Sequence, residues 1–166
     1  MLYDAGRMGS PESATRGISA LLWSRGLTHI DALLISHADA DHFNSVPELL
    51  ERFSLGIVYV SQAMRGDHSP SVRELFRQLA AAGVPVATLQ KGDRLAGGGA
   101  VIDILHPAGS GFNTAVEGSV DNANSIVLAI AYQGRRILLP GDLEHAGVDA
   151  VTATAPQNCD VLLAPH

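Results

Sequence analysis

One hexapeptide constrains this chain more than any other part of it: His37-Ala38-Asp39-Ala40-Asp41-His42, which follows the apolar run Ile30-Asp31-Ala32-Leu33-Leu34-Ile35-Ser36. A run of that length and character reads as a short buried strand. The fold must therefore release the chain from a strand directly into a segment bearing two imidazoles and two carboxylates. Carboxylates this close repel one another unless a cation or a proton intervenes. Alanines at 38 and 40 leave room for the four side chains to converge. Where a strand runs on into a loop, residues i and i+2 share a side. His37 and Asp39 can thus bind one ion, and Asp41 and His42 a second beside it. Nitrogen and oxygen donors without thiolate suit zinc, manganese or iron. A pair of such ions about 3.5–4 Å apart polarises a phosphoryl or carbonyl oxygen and activates water at neutral pH.

Other residues repeat the pattern of a strand followed by a ligand. Ile137-Leu138-Leu139-Pro140-Gly141-Asp142 is an apolar strand ending in Gly-Asp. Asp142 either caps a helix starting at Leu143 or joins the site, and beside the 37–42 segment the ligand reading prevails. His166 closes the apolar run Asp160 to Ala164 in the same way. Asp4 ends a first strand at Leu2-Tyr3, and its expected part is to orient a ligand histidine or a loop. His106, after the strand Val101 to Leu105, is the reserve ligand. His29, His68 and His145 read as surface or structural groups.

The rest of the chain alternates helix and strand. A helix capped by Ser13 or Thr15 presents Ile18, Leu21, Leu22 and Trp23 and ends at Gly26. Val46 to Phe53 is a helix with Pro47 in its first turn, and Gly56 to Val60 is a strand. Ser69-Pro70 opens a helix to about Ala82, in which Val72, Leu75, Phe76 and Leu79 recur at three and four residues. Val84 to Leu89, Val101 to Leu105, Ser125 to Tyr132 and Arg136 to Leu139 are strands, the last two joined at Gln133-Gly134. Residues 109–124 read as a long functional loop, Leu143 to Thr154 as a helix and Asp160 to Ala164 as a strand. This order implies an α/β layered fold, and the hairpin argues for two mixed sheets with helices outside.

With 166 residues, 46% of them apolar, the chain can build one domain with a real core. The formal charge of −6 gives no general pull toward nucleic acid. Cys159 is the only cysteine, so no internal disulfide is expected; it reads as a small apolar residue at the edge of the last strand. No apolar stretch approaches the roughly 20 residues of a membrane span. Both ends look abrupt, which suggests a fragment.

Ser36-His37-Ala38-Asp39-Ala40-Asp41-His42 resembles the metal motif of the metallo-β-lactamase superfamily, in its variant with Asp for the second histidine. Asp4-Ala5-Gly6 resembles the strand-end motif that precedes it. Asn122-Ala123-Asn124-Ser125-Ile126-Val127-Leu128, Gly141-Asp142-Leu143-Glu144 and Pro165-His166 are similar to the later motifs of one branch, the C-terminal domain of ComEC/Rec2 competence proteins. The resemblance covers nearly the whole chain, in order. It implies an αββα four-layer sandwich, incomplete here, with two divalent ions, Zn or Mn. His37, Asp39, Asp41, His42, Asp142 and His166 would be the ligands, Asp142 bridging. The implied activity is nuclease action on DNA during uptake, with Asp41 and Asp142 as catalytic carboxylates. The implied partners are DNA and a membrane channel domain, at the extracytoplasmic face of the bacterial cytoplasmic membrane. Arg65, Lys91, Arg94, Arg135 and Arg136 could meet DNA phosphates. The chain departs from the family in three ways: the Pro-His-His-Gly-Ser run stops after Pro165-His166, strands before Leu2 are missing, and the middle histidine has either His106 or the polar loop Asn122 to Ser125 as its counterpart. A small-substrate hydrolase acting on phosphoesters, thioesters or lactams, and a catalytically weak binding module of a channel, are the alternatives.

Overall fold

The computed structural model describes residues 1–113, 118–153 and 158–164. They form two compact units. The first comprises Met1–Val60 with Gly66–Ala87, and the second Ser61–Arg65 with the described residues from Thr88 onward.

The first unit is built on a sheet of β1 (Leu2–Tyr3), β2 (His29–Leu34), β3 (Ser54–Ser61) and β4 (Val86–Leu89), in that spatial order. β1, β2 and β3 run parallel, with Tyr3 opposite Leu34 and Leu34 opposite Tyr59. Parallel neighbours need crossover connections. The helices α1 (Pro11–Ser24) and α2 (Val46–Arg52) lie in those crossovers and pack on each other. α1 begins earlier than expected: Ser10 is its N-cap residue and Pro11 its first residue, which suits a ring without an N–H. Ser13 and Thr15 therefore lie inside the helix. Thr15, Ser19 and Leu22, spaced by four and three, are its buried face. Leu21 and Trp23, expected to be apolar anchors, are exposed, and the Trp23 ring sits 5.6 Å from that of Phe53. The face is set by small polar side chains that allow close approach, which a reading based on apolar periodicity does not register.

α4 (Pro70–Ala81) follows its pattern closely: Val72, Leu75 and Leu79 are buried, and Ser69 accepts a hydrogen bond from the N–H of Val72. α4 packs on α2, and Gly83 ends it in the left-handed region at φ 69°.

The second unit contains α3 (Gln62–Arg65) and a sheet in the order β5 (Arg94–Gly97), β6 (Ala100–His106), β7 (Val127–Tyr132), β8 (Arg135–Leu139) and β9 (Val161–Leu162). Pairings from β5 to β8 are antiparallel; β9 lies parallel to β8. Gln133 and Gly134 turn the β7–β8 hairpin with φ 48° and 76°, the two positive values that match strand twist. β5 was not expected, because Arg94-Leu95-Ala96-Gly97 carries little strand propensity; its pairing with β6 supplies what its composition lacks. The stretch expected to be loop contains a short helix, α5 (Val120–Ala123), capped by Ser119. α6 (Ala146–Thr152) starts later than Leu143 and packs on α5 and β6. β9 is shorter than Asp160 to Ala164, and Cys159 is exposed ahead of it rather than packed.

The two sheets with their helices are the mixed α/β class expected from the sequence. Among the described residues no helix is long and apolar enough to cross a membrane.

Candidate metal centre

The hexapeptide leaves the first sheet at the end of β2. The N–H of Ile35 still bonds to the Tyr59 carbonyl at 3.0 Å, after which the chain turns onto a template formed by residues 4–7. The N–H of Asp4 bonds to the Leu34 carbonyl, that of Ala5 to the His42 carbonyl, each at 2.8 Å, and that of Ser45 to the Ala5 carbonyl at 3.0 Å. The Asn44 side chain accepts from the Arg7 N–H at 3.2 Å and donates to the Arg7 carbonyl at 2.9 Å. Asp4 adopts φ 56°, a left-handed conformation that Asp tolerates better than most residues. Gly6 is required by proximity: a Cβ there would lie 2.3 Å from the Asp41 carbonyl oxygen. Ala40–His42 form a single tight helical turn, with the His42 N–H on the Asp39 carbonyl.

Within this frame His37 and His42 are buried, at 1% and 7% exposure, and their ring centroids lie 4.1 Å apart. His37 Nε2 is 3.3 Å from Asp39 Oδ2, and His42 Nε2 is 3.9 Å from Asp41 Oδ2. The sequence pairing of His37 with Asp39 and of Asp41 with His42 thus recurs as two imidazole–carboxylate pairs. The opposite ring faces are tied to one carboxylate. Asp4 Oδ1 accepts from the Ser36 N–H at 2.7 Å, and Oδ2 stands 2.9 Å from Ser36 Oγ and 3.0 Å from His42 Nδ1. Ser36 Oγ is 2.9 Å from His37 Nδ1. Asp4 therefore links His42 directly, and His37 through Ser36, to one carboxylate. Ser36 and Asn44, which have no part in the sequence-based expectation, hold this frame together through their side chains; a hydroxyl directly before His37 is the one local signal of it. Two oriented imidazoles beside carboxylates, without sulfur, are donors that fit a divalent cation.

In the second unit Asp142 follows β8 and is partly exposed, just after Gly141 at φ 61°. It does not cap a helix, since His145 holds the N-cap position of α6. His166 lies outside the described residues. His106 is buried at 3% exposure; its Nε2 donates to the Ala123 carbonyl at 2.8 Å and its ring stacks 5.9 Å from Phe112. Burial pushes its pKa below the ordinary 6.5, outweighing the Ala123 hydrogen bond, while the positive charge of Lys91 pushes the same way. In the polar loop, Asn122 Oδ1 and Ser125 Oγ are buried and have no hydrogen-bond partner among the described residues. His29 pairs with Ser54 at 2.7 Å, and His68 and His145 are exposed.

Two of the basic residues considered for phosphate contact are already matched. Arg94 meets Asp103 at 2.6 Å, which raises the guanidinium pKa, and Arg135 meets Asp160 at 2.8 Å, which lowers the carboxyl pKa.

Comparison with known proteins bears on this arrangement. A family model described as the metallo-beta-lactamase superfamily matches residues 1–165. ComE operon protein 3 of Bacillus subtilis (strain 168) is 26% identical over 146 residues, 87% of this chain and 18% of that protein. The chain thus spans about a fifth of the length of that relative. Among solved structures, a motif mutant of a metallo-beta-lactamase from Cronobacter sakazakii is similar with TM-score 0.59 and 18% identity, over 99% of this chain and 68% of that one. MEM-A1, a subclass B3 metallo-beta-lactamase from a soil metagenome library, has TM-score 0.56 and 12% identity, over 99% and 68%. At these identities the solved structures bear on the fold alone.

Proposed function

Because the chain belongs to the metallo-β-lactamase superfamily, whose members are generally metal-dependent hydrolases, we propose that it hydrolyses phosphodiester bonds of DNA with two divalent ions, Zn²⁺ or Mn²⁺, in DNA uptake during competence. The observation that carries the metal-dependent reading is the Asp4–Ser36–His37–His42 network, which fixes two buried imidazoles beside Asp39 and Asp41. His37 with Asp39, and Asp41 with His42, would hold the ions. By the superfamily resemblance Asp142 would bridge them and His166 would add a ligand. When bound, the ions would supply charge stabilisation at the phosphate and would acidify water. Asp41 and Asp142 offer carboxylate oxygens as proton acceptors for the attacking water, a role typically worth about 10²–10⁴-fold.

DNA as substrate, a channel as partner and an extracytoplasmic position rest on the resemblance of the motifs to the ComEC/Rec2 competence proteins, and the similarity to ComE operon protein 3 supports that branch. A second reading, a small-substrate hydrolase, is supported by the formal charge of −6 and by the pairing of Arg94 with Asp103 and of Arg135 with Asp160, which offsets two of the cations considered for phosphate contact.

The test is turnover with Mn²⁺ or Zn²⁺ present. Cleavage of DNA, lowered at least about 10²-fold by Asp41→Ala or Asp142→Ala, supports the proposal. Variants that cleave as well as the parent contradict it. Cleavage of bis-p-nitrophenyl phosphate without cleavage of DNA selects the small-substrate reading. Metal uptake without turnover of either selects a binding module.

A further inference from the structure

Resting on the reading that His37 and His42 are metal ligands, we propose that Ser36 is a positioning residue: its hydroxyl relays the Asp4 carboxylate to His37, so that one carboxylate sets the tautomer of both imidazoles. The argument is a count of hydrogens. An ionised carboxylate only accepts, and a serine hydroxyl has one hydrogen to give. Ser36 Oγ has Asp4 Oδ2 and His37 Nδ1 each at 2.9 Å. Two oxygens at that separation with no hydrogen between them repel, so the hydroxyl hydrogen goes to Asp4. The contact to His37 then needs a hydrogen from the ring, and Nδ1 must carry it. His42 Nδ1, 3.0 Å from the same Oδ2, must likewise carry a hydrogen. In a neutral imidazole the lone pair is then on Nε2. Those lone pairs face carboxylate oxygens of Asp39 and Asp41 at 3.3 Å and 3.9 Å, contacts that a cation, not a ring hydrogen, would satisfy.

The relay is asymmetric, which separates it from a role in folding alone. His42 touches Asp4 directly at 3.0 Å, whereas its distance to Ser36 Oγ is 3.4 Å. His37 reaches Asp4 through Ser36. Removing the hydroxyl releases His37 and spares His42. Replacing the carboxylate by an amide, which can present N–H groups to both Ser36 and His42, disturbs both rings.

The experiment is ¹⁵N NMR of the histidine rings in the metal-free protein at pH above the imidazole range, for the parent, Ser36→Ala and Asp4→Asn, with Co²⁺ titration by calorimetry alongside. The expected parent carries hydrogen on Nδ1 of both His37 and His42. Ser36→Ala converts only His37 to a mixture of tautomers and weakens Co²⁺ binding about 10–100-fold. Asp4→Asn shifts both rings. A parent His37 with hydrogen on Nε2, or a Ser36→Ala protein whose His37 tautomer is unchanged, overturns the relay. A parent that shows the expected tautomers and takes up no Co²⁺ leaves the relay standing and overturns the metal reading, so the two failures are distinguishable.

Discussion

Replacing Gly6 by alanine tests how tightly the motif loop is templated. The new Cβ would lie 2.3 Å from the Asp41 carbonyl oxygen, 2.8 Å from the Asp41 carbonyl carbon and 2.8 Å from Asn44 Oδ1. The first contact falls about 1 Å short of an ordinary van der Waals separation. Two of the three atoms are backbone, so no rotamer change relieves the clash. The turn Ala40–His42 must move away from residues 4–7, and the Ala5–His42 and Arg7–Asn44 hydrogen bonds hold it where it is. Overpacking of this kind costs roughly 1–3 kcal/mol. For a chain of this size each kcal/mol lowers Tm by about 2–4 °C, so a loss of roughly 2–12 °C is expected in scanning calorimetry. Because the moving atoms belong to Asp41, metal affinity should fall in the same variant. A Gly6→Ala protein with unchanged Tm and unchanged metal affinity would refute the claim that residues 4–7 position the site.

Two further outcomes follow from the second unit. Gly141 at φ 61° permits the turn before Asp142; Gly141→Ala should cost about 1–2 kcal/mol, seen as a lower midpoint in urea unfolding, and, under the proposed role of Asp142, should reduce turnover. His106 has a folded pKa below its ordinary 6.5 because burial disfavours the imidazolium. Between the folded value and 6.5 the unfolded chain binds more protons, so stability falls as pH drops through that window. Melting curves from pH 7.5 downward should show this loss, and His106→Gln should flatten it.

Legibility in the sequence followed the physics of each segment. The 37–42 segment stands out in the sequence because two histidines and two aspartates in six residues have few uses other than a cation, and its two histidines are buried side by side. The same held for β2, whose apolar run matches a buried parallel strand, and for α4, whose cap and period agree. The face of α1 was not readable, since Thr15 and Ser19 are buried for their size while Trp23 stays exposed. β5 was missed because its only support is pairing with β6. The place of Asp4 beside the segment is legible because it ends a strand. The part played by Ser36 was not, because it depends on which way a hydroxyl points, and that is fixed by Asp4 at a separation of 32 residues. His106, the reserve ligand, bonds through Nε2 to the Ala123 carbonyl, a partner that the fold supplies and the local sequence does not announce.

The central claim is that this chain is a two-metal centre of the superfamily built on the 37–42 segment. Metal content measured by mass spectrometry after equilibration with Mn²⁺ or Zn²⁺ and desalting tests it most directly. The account predicts about two ions per chain, falling in Asp39→Ala and again in Asp41→Ala. A parent chain that retains no metal, or retains the same amount in both variants, would contradict it.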